Sequence, residues 1–253
     1  MERGQVQVKP VFVKTKNVRN FESMMDALGQ ARGEGRLGAV PSPPGRGKTR
    51  TAQWFAANHG CIYLRVASIW KRNELDFIQA LCREVGVTSP PGRKGSCYQA
   101  VVDALAGTDR PVFIDEMQKL RRDFLDIVLD LSDATACPFV LVGEEELRGL
   151  MQANGRVWSR TYQQVQFDPI GVSDIMFYAM DAAGLKLPPG VADVLHKSSQ
   201  GDFRLVRRDL IALVQFVNAR GPGEDGQPVV TEEMARIATG MGLKGARTNG
   251  GRP

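Results

Sequence analysis

The sequence predicts an α/β fold, a mainly parallel five-stranded sheet covered by helices on both faces, followed by a small C-terminal helical domain. Three observations predict it. Short apolar runs alternate with helix-periodic segments as far as Asp168-Pro169. A glycine-rich octapeptide, Ser42-Pro43-Pro44-Gly45-Arg46-Gly47-Lys48-Thr49, stands at a strand-to-helix junction. From Gly171 onward the strand-like runs stop and only helical patterns remain.

The elements follow in order. Residues 1–20 place Lys9, Lys14, Lys16 and Arg19 among valines, which reads as a partly extended arm before a first helix from Phe21 to Arg32, with a solvated tail as the alternative. Leu37 to Val40 is a short apolar strand, and Arg50 to Asn58 is the helix that leaves the glycine-rich loop. Cys61 to Ala67 reads as a buried strand, and Asn73 as the N-cap of a helix from Glu74 to Val85. After a Pro/Gly loop, Ser96 and Gln99 have the spacing of a capping box for a helix reaching Ala106. Pro111 to Ile114 is a strand ending in Asp115-Glu116, and a helix from Met117 to Leu131 follows. Phe139 to Val142 is a strand, Glu145 to Gln152 a helix, and Val165 to Phe167 the last short strand. Four helices are expected beyond it, at Ser173 to Ala183, Val191 to Ser198, Phe203 to Ala219 and Thr231 to Met241. The predicted organisation is an arm at 1–20, an α/β domain at 21–170, a helical domain at 171–241 and a flexible basic tail at 242–253.

Composition bounds the function. A chain of 253 residues with 43% hydrophobic content can bury a full core. The formal charge of +5 suits a polyanionic partner without requiring one. Cys61, Cys82, Cys97 and Cys137 form no C-x-x-C pair, so neither a zinc cluster nor a disulfide framework is expected. Met1 to Lys9 has no apolar core of a signal peptide, and no run is long enough to span a bilayer. A cytoplasmic protein without membrane contact is the expectation.

The glycine-rich loop carries the chemistry. Glycines at 45 and 47 let backbone N–H groups turn toward a polyphosphate, and the following helix adds the positive end of its dipole. Pro44, Gly45, Arg46, Gly47, Lys48, Thr49 and Arg50 form the expected cradle, with Lys48 on the β- and γ-phosphates and the Thr49 hydroxyl on Mg²⁺. Ser42 departs from the glycine that opens the G-x-x-x-x-G-K-[ST] pattern. Val112-Phe113-Ile114-Asp115-Glu116 supplies the complement, an apolar strand that delivers two carboxylates where open α/β sheets bind ligands. Asp115 is expected to order the Mg²⁺ shell and Glu116 to act as general base on the attacking water. The pair points to ATP and Mg²⁺ as cofactors and to ATP hydrolysis.

Taken together, Pro-Pro-Gly-Arg-Gly-Lys-Thr, Phe-Ile-Asp-Glu-Met-Gln-Lys-Leu, Phe-Val-Leu-Val-Gly-Glu-Glu-Glu-Leu, Ser-Arg-Thr-Tyr and Gly-Asp-Phe-Arg resemble the AAA+ ATPases of the phage Mu B transposition protein, TniB and TnsC group. The resemblance covers most of the chain from the first helix to the third C-terminal one. It implies a P-loop NTPase of the AAA+ type whose C-terminal helical domain is a lid. It also implies that Arg160 is an arginine finger reaching a neighbouring subunit's nucleotide, with Arg156 as its rival, and that Arg204 is the lid's nucleotide-sensing arginine. Arg160 and Arg156 also fit ordinary surface ion pairs with Glu144 to Glu146, and a solvated basic face is the competing explanation of Arg204. The polar sensor of the family falls at Gly143-Glu144, an unsuitable choice beside a phosphate. A helix-turn-helix domain does not fit into residues 1–20, so the expectation is the ATPase core.

In that group ATP-bound subunits form a helical filament around duplex DNA. The resemblance therefore implies duplex DNA, further copies of the chain and a transposase as partners, and admits a target-selecting adaptor. Candidate DNA contacts are Lys71 and Arg72 after the second strand, Arg93 and Lys94 in the Pro/Gly loop, and Lys119, Arg121 and Arg122 on the helix after Asp115-Glu116. All would meet phosphate, giving salt-sensitive affinity with little sequence preference. Ordinary solvated charge explains each cluster equally. A helicase loader, an ExeA-like ATPase and a nucleotide switch that binds only proteins remain alternative readings.

Overall fold

The computed structural model describes residues 5–31, 36–224 and 226–240. They divide into two compact units, one from Lys16 to Asp168, the other made of the described residues before Lys16 and those from Pro169 onward.

The first unit is a three-layer sandwich. Five strands, β1 (Leu37–Pro41), β2 (Ile62–Arg65), β3 (Val112–Asp115), β4 (Phe139–Gly143) and β5 (Thr161–Gln164), lie in the order β2-β3-β4-β1-β5. Every pairing is parallel, which requires a crossover between successive strands. The crossovers are helical, and one further helix precedes β1. The central strands β1, β3 and β4 are buried along their whole length, as expected for a sheet covered on both faces.

Alternation sorts the core into two layers. Leu37, Ala39, Val112, Ile114, Phe139 and Leu141 face α3 (Glu74–Glu84), α4 (Lys94–Leu105) and α5 (Asp123–Thr135). Val40, Phe113, Val140 and Val142 face α1 (Lys16–Gln30) and α2 (Lys48–His59). On that second face Phe21, Phe55, Phe113 and Phe167 meet in tilted and edge-on pairs, with centroids 5.5 to 6.3 Å apart around Phe21.

Several boundaries differ from the sequence reading. Helix α1 starts at Lys16, so the arm before it is shorter than 1–20. Asn73 caps α3 as expected, accepting from Leu75 N at 3.1 Å and Asp76 N at 3.3 Å, but the Ser96 capping box does not form. Helix α4 opens at Lys94 with Arg93 at its N-cap and no side-chain cap bond. The helix expected from Met117 is interrupted: Met117–Lys119 is a single 3-10 turn, Leu120 is extended, and α5 begins at Asp123. The last strand is Thr161–Gln164, not Val165 to Phe167. It is an edge strand with alternating exposure, so its sequence is not an apolar run. Helices α6 (Glu146–Gln152) and α7 (Gly155–Arg160) precede it; α7, unforeseen, is capped by Asn154 accepting from Val157 N.

The second unit packs α8 (Val172–Ala183), α9 (Pro189–Ser199), α10 (Phe203–Arg220) and α11 (Glu232–Ala238) around one apolar core. The arm joins this core through Val6, Val8, Val11 and Val13 instead of standing in solvent. The Asn218 carboxamide clasps Val6, accepting from its N and donating to its O at 2.9 Å each, and Lys9 N donates to Ala182 O at 2.7 Å. The predicted tail at 242–253 lies outside the described residues. The four cysteines are free thiols. No described helix is long and apolar enough to cross a membrane.

Candidate active site

The loop after β1 is shaped by its glycines. Gly45 and Gly47 adopt φ of 77° and 92°, a left-handed backbone that side chains with a Cβ disfavour. Gly47 is the N-cap of α2 and provides no side-chain cap bond, which leaves the helix's first N–H groups available to an anion. Lys48, in the first turn, is buried, and its Nζ donates to Ser42 O at 2.5 Å and Pro43 O at 2.7 Å. The cation thus already lies within the loop. Thr49 is half-buried beside it, while Pro44 and Arg50 are exposed.

Ser42 explains its own departure from glycine. It is fully buried and is not among the residues of positive φ, so the backbone here makes no demand that serine fails. Its Oγ accepts from Phe167 N at 2.7 Å, and its N donates to Gly143 O at 3.2 Å. The hydroxyl ties the loop to the segment beyond β5.

The carboxylates stand at the same edge of the sheet. Pro41 pairs with Gly143 and Val142 with Asp115, so β4 lies between the phosphate loop and the acids. Asp115 is buried, with Oδ1 accepting from Glu116 N at 2.9 Å and Oδ2 from Tyr63 Oη at 2.7 Å. Burial first, then the Asp115 bond and charge, raises the Tyr63 pKa above the ordinary phenol value, so Tyr63 stays a donor. Glu116 is held at φ 63°, a left-handed conformation that is unusual for glutamate. Its carboxylate is paired with Lys119 Nζ at 3.1 Å and Arg65 Nη2 at 3.5 Å, and accepts from Gln118 Nε2 at 3.2 Å. Partial burial pushes its pKa up, but Lys119 and Arg65 outweigh this and the net shift is downward. Glu116 is therefore ionised, as a base must be.

The structure adds contacts that the sequence reading did not assign: Tyr63 reaches Asp115, and Arg65 and Gln118 reach Glu116. Tyr63 and Arg65 alternate along β2, and β2 pairs with β3 with Arg65 opposite Asp115. That pairing becomes visible only once strand order is known.

A magnesium ion suits these donors. Asp115 supplies a buried carboxylate and Thr49 a hydroxyl, both hard oxygen ligands. No cluster of three or more acidic, histidine or cysteine ligands exists among the described residues, and magnesium bound mainly through phosphates and water does not need one.

The basic candidates separate by their partners. Lys71 and Arg72 follow the 3-10 turn Ser68–Trp70, are exposed and make no ion pair among the described residues. Arg93 and Lys94 begin α4 instead of lying in a loop, and Lys94 is tied to Glu74. Lys119 is bound to Glu116 in the 3-10 turn, while Arg121, paired with Asp123, and Arg122 lie between that turn and α5. None of these three is on a helical face, which corrects the expectation.

Arg156 and Arg160 pair with α5, not with Glu144 to Glu146. Arg156 meets Asp126 at 3.7 Å and Asp130 at 3.2 Å, and Arg160 meets Asp133 at 3.5 Å. Arg204, in the other unit, is exposed and pairs with its own N-cap, Asp202, at 3.4 Å.

Comparison with known proteins agrees with this geometry. The AAA domain family matches residues 31–151, which contain both the phosphate loop and the acids. The Mu-like prophage FluMu DNA transposition protein B of Haemophilus influenzae is 25% identical over 172 residues, covering 63% of this chain and 59% of that protein. The ATP-dependent target DNA activator B of Escherichia phage Mu is 26% identical over 147 residues, covering 58% and 46%. The chain thus matches about half the length of these relatives. Among solved structures, Cdc6p from Pyrobaculum aerophilum superposes with a TM-score of 0.63 at 16% identity, covering 91% of this chain and 67% of that one. The Aeropyrum pernix ORC2 protein gives 0.64 at 16%, covering 92% and 70%. These likenesses show the fold, and the sequence relatives to which the chain is similar are Mu-type transposition proteins B.

Proposed function

We propose that this chain, an AAA+ protein allied to the Mu B group, is an ATP-dependent DNA-binding ATPase that assembles on target DNA and recruits or activates a transposase. The observation that carries the reading is the convergence at one sheet edge of the Gly47–Lys48 cradle with Asp115 and Glu116, in a chain similar to a protein named as an ATP-dependent target DNA activator.

In this reading ATP's phosphates meet the N–H groups of Gly45 to Thr49 and replace the Ser42 and Pro43 carbonyls as partners of the Lys48 ammonium. Thr49 and Asp115 hold Mg²⁺, which neutralises phosphate charge when bound. Glu116, kept ionised by Lys119 and Arg65, takes a proton from the attacking water. Arg160 releases Asp133 to reach the nucleotide of an adjoining copy, with Arg156 as the competing candidate, and Arg204 serves as the lid's sensor. Lys71 and Arg72 are the first choice for duplex phosphates because no acidic side chain engages them among the described residues. Lys94, Lys119 and Arg121 would first have to exchange a carboxylate for a phosphate.

Electron microscopy with duplex DNA, magnesium and a non-hydrolysable ATP analogue tests the whole reading, and ordered assemblies that require both ligands are expected. Filter binding at two salt concentrations isolates the DNA term. A chain that retains no more duplex with ATP than without it is a nucleotide switch acting on proteins, and the reading fails.

A further inference from the structure

Gln118 has no task in the mechanism above. Its Nε2 reaches Glu116 Oε2 at 3.2 Å, while its Oε1 is buried without a hydrogen-bond partner. That oxygen packs against Gly143, where any added Cβ would collide with it. Gly143 is the last residue of β4 and accepts from Ser42 N, the first residue of the phosphate loop. Gln118 therefore fills the space between the proposed base and the strand end joined to the phosphate loop. The missing side chain at Gly143 makes that space.

The orientation of the amide is determined. Turned end for end, it would aim its oxygen at a carboxylate oxygen, acceptor against acceptor. In the orientation present it leaves its own acceptor buried and unsatisfied, a cost in stability that is tolerated chiefly where function imposes the geometry. The other partners of Glu116 are less restrictive. Arg65 is 56% exposed and Lys119 34%, and long, solvated cations fix an anion's charge better than its direction.

We infer that Gln118 is the positioning residue for Glu116, holding carboxylate Oε2 on the Gly143 side of the turn and resisting a swing of the group toward Arg65, which meets Oε1. This rests on the reading of Glu116 as general base. It also accounts for a family sensor position occupied by Gly143-Glu144: the polar group at that strand end comes from Gln118, and Gly143 admits it.

The test is Gln118→Met, which keeps length and removes the donor. The kcat for ATP should fall about tenfold or more, within the range by which a positioned base accelerates proton transfer. KM, nucleotide affinity and DNA-dependent assembly should hold, and the thermal midpoint should stay the same or rise, because the buried acceptor is gone. Gly143→Ala, which leaves Gln118 chemically intact but displaces it, should reproduce the kcat loss. In a Glu116→Gln background, Gln118→Met should cost no further turnover.

Turnover within twofold of the parent overturns the inference, and so does a kcat loss that only tracks a falling thermal midpoint or persists undiminished in the Glu116→Gln background. Failure of the underlying reading looks different. There the parent chain releases no phosphate, or Glu116→Gln hydrolyses ATP as fast as the parent.

Discussion

The phosphate loop and the acidic turn after β3 sit side by side on the sheet, yet they are built on opposite principles. In the loop, the groups proposed to bind are backbone N–H groups, and its shape follows from glycine at 45 and 47 with φ of 77° and 92°. In the acidic turn, the groups proposed to react are side chains, and Glu116 adopts φ 63° without glycine's freedom. The partners of its carboxylate include groups set by the assembled sheet: Arg65 from β2, and Gln118, which is seated against Gly143 of β4. The loop is specified locally, whereas the turn depends on the assembled sheet.

If that contrast is right, Lys48→Ala should have the largest effect. It should abolish nucleotide binding and, with it, assembly on DNA, while leaving the fold unchanged by circular dichroism. Filaments of normal length in electron micrographs would remove Lys48 from the site. Glu116→Gln comes next: nucleotide and DNA binding should survive while turnover falls about 10²- to 10⁴-fold, giving longer-lived assemblies. Phosphate release at the parent rate would dissolve the distinction between a binding region and a reacting one.

The smaller effects probe the partners. Tyr63→Phe deprives the buried Asp115 Oδ2 of its donor and should lower unfolding free energy by about 1–3 kcal/mol, with a weaker response of stability to added magnesium nucleotide. Urea titration with and without the ligand checks both. Ser42→Gly tests the contrast from the other side. It restores the consensus yet removes the bond to Phe167 N, so it should destabilise by about 1 kcal/mol while nucleotide affinity holds. Equal or greater stability would mean that the loop, too, is governed purely by its local sequence.

What could be read from the residues follows the same division. Buried strands announce themselves as apolar runs, and β1 to β4 were legible for that reason. Edge strand β5 did not announce itself, because Thr161-Tyr162-Gln163-Gln164 buries little on either face. Asn73 was legible as a cap since its bonds reach only two and three residues along. The break after Lys119 was not, because Met117, Leu120 and Phe124 are all buried and keep a helical spacing through a segment that is not one helix. The acids themselves were visible at the end of β3. Tyr63, Arg65 and Gln118 became meaningful only through strand neighbours and a glycine that no linear pattern associates with them.

The arm's seat among the C-terminal helices has a consequence for biosynthesis. Val6 is fastened to Asn218 and Lys9 to Ala182, so the arm, translated before the α/β unit, finds its seat only after residues translated beyond that unit have emerged. Everything from Lys16 to Asp168 can close meanwhile around its own interior. The unit that carries the phosphate loop can then close before the unit that flanks it in sequence, while the arm's valines wait for the emergence of Asn218.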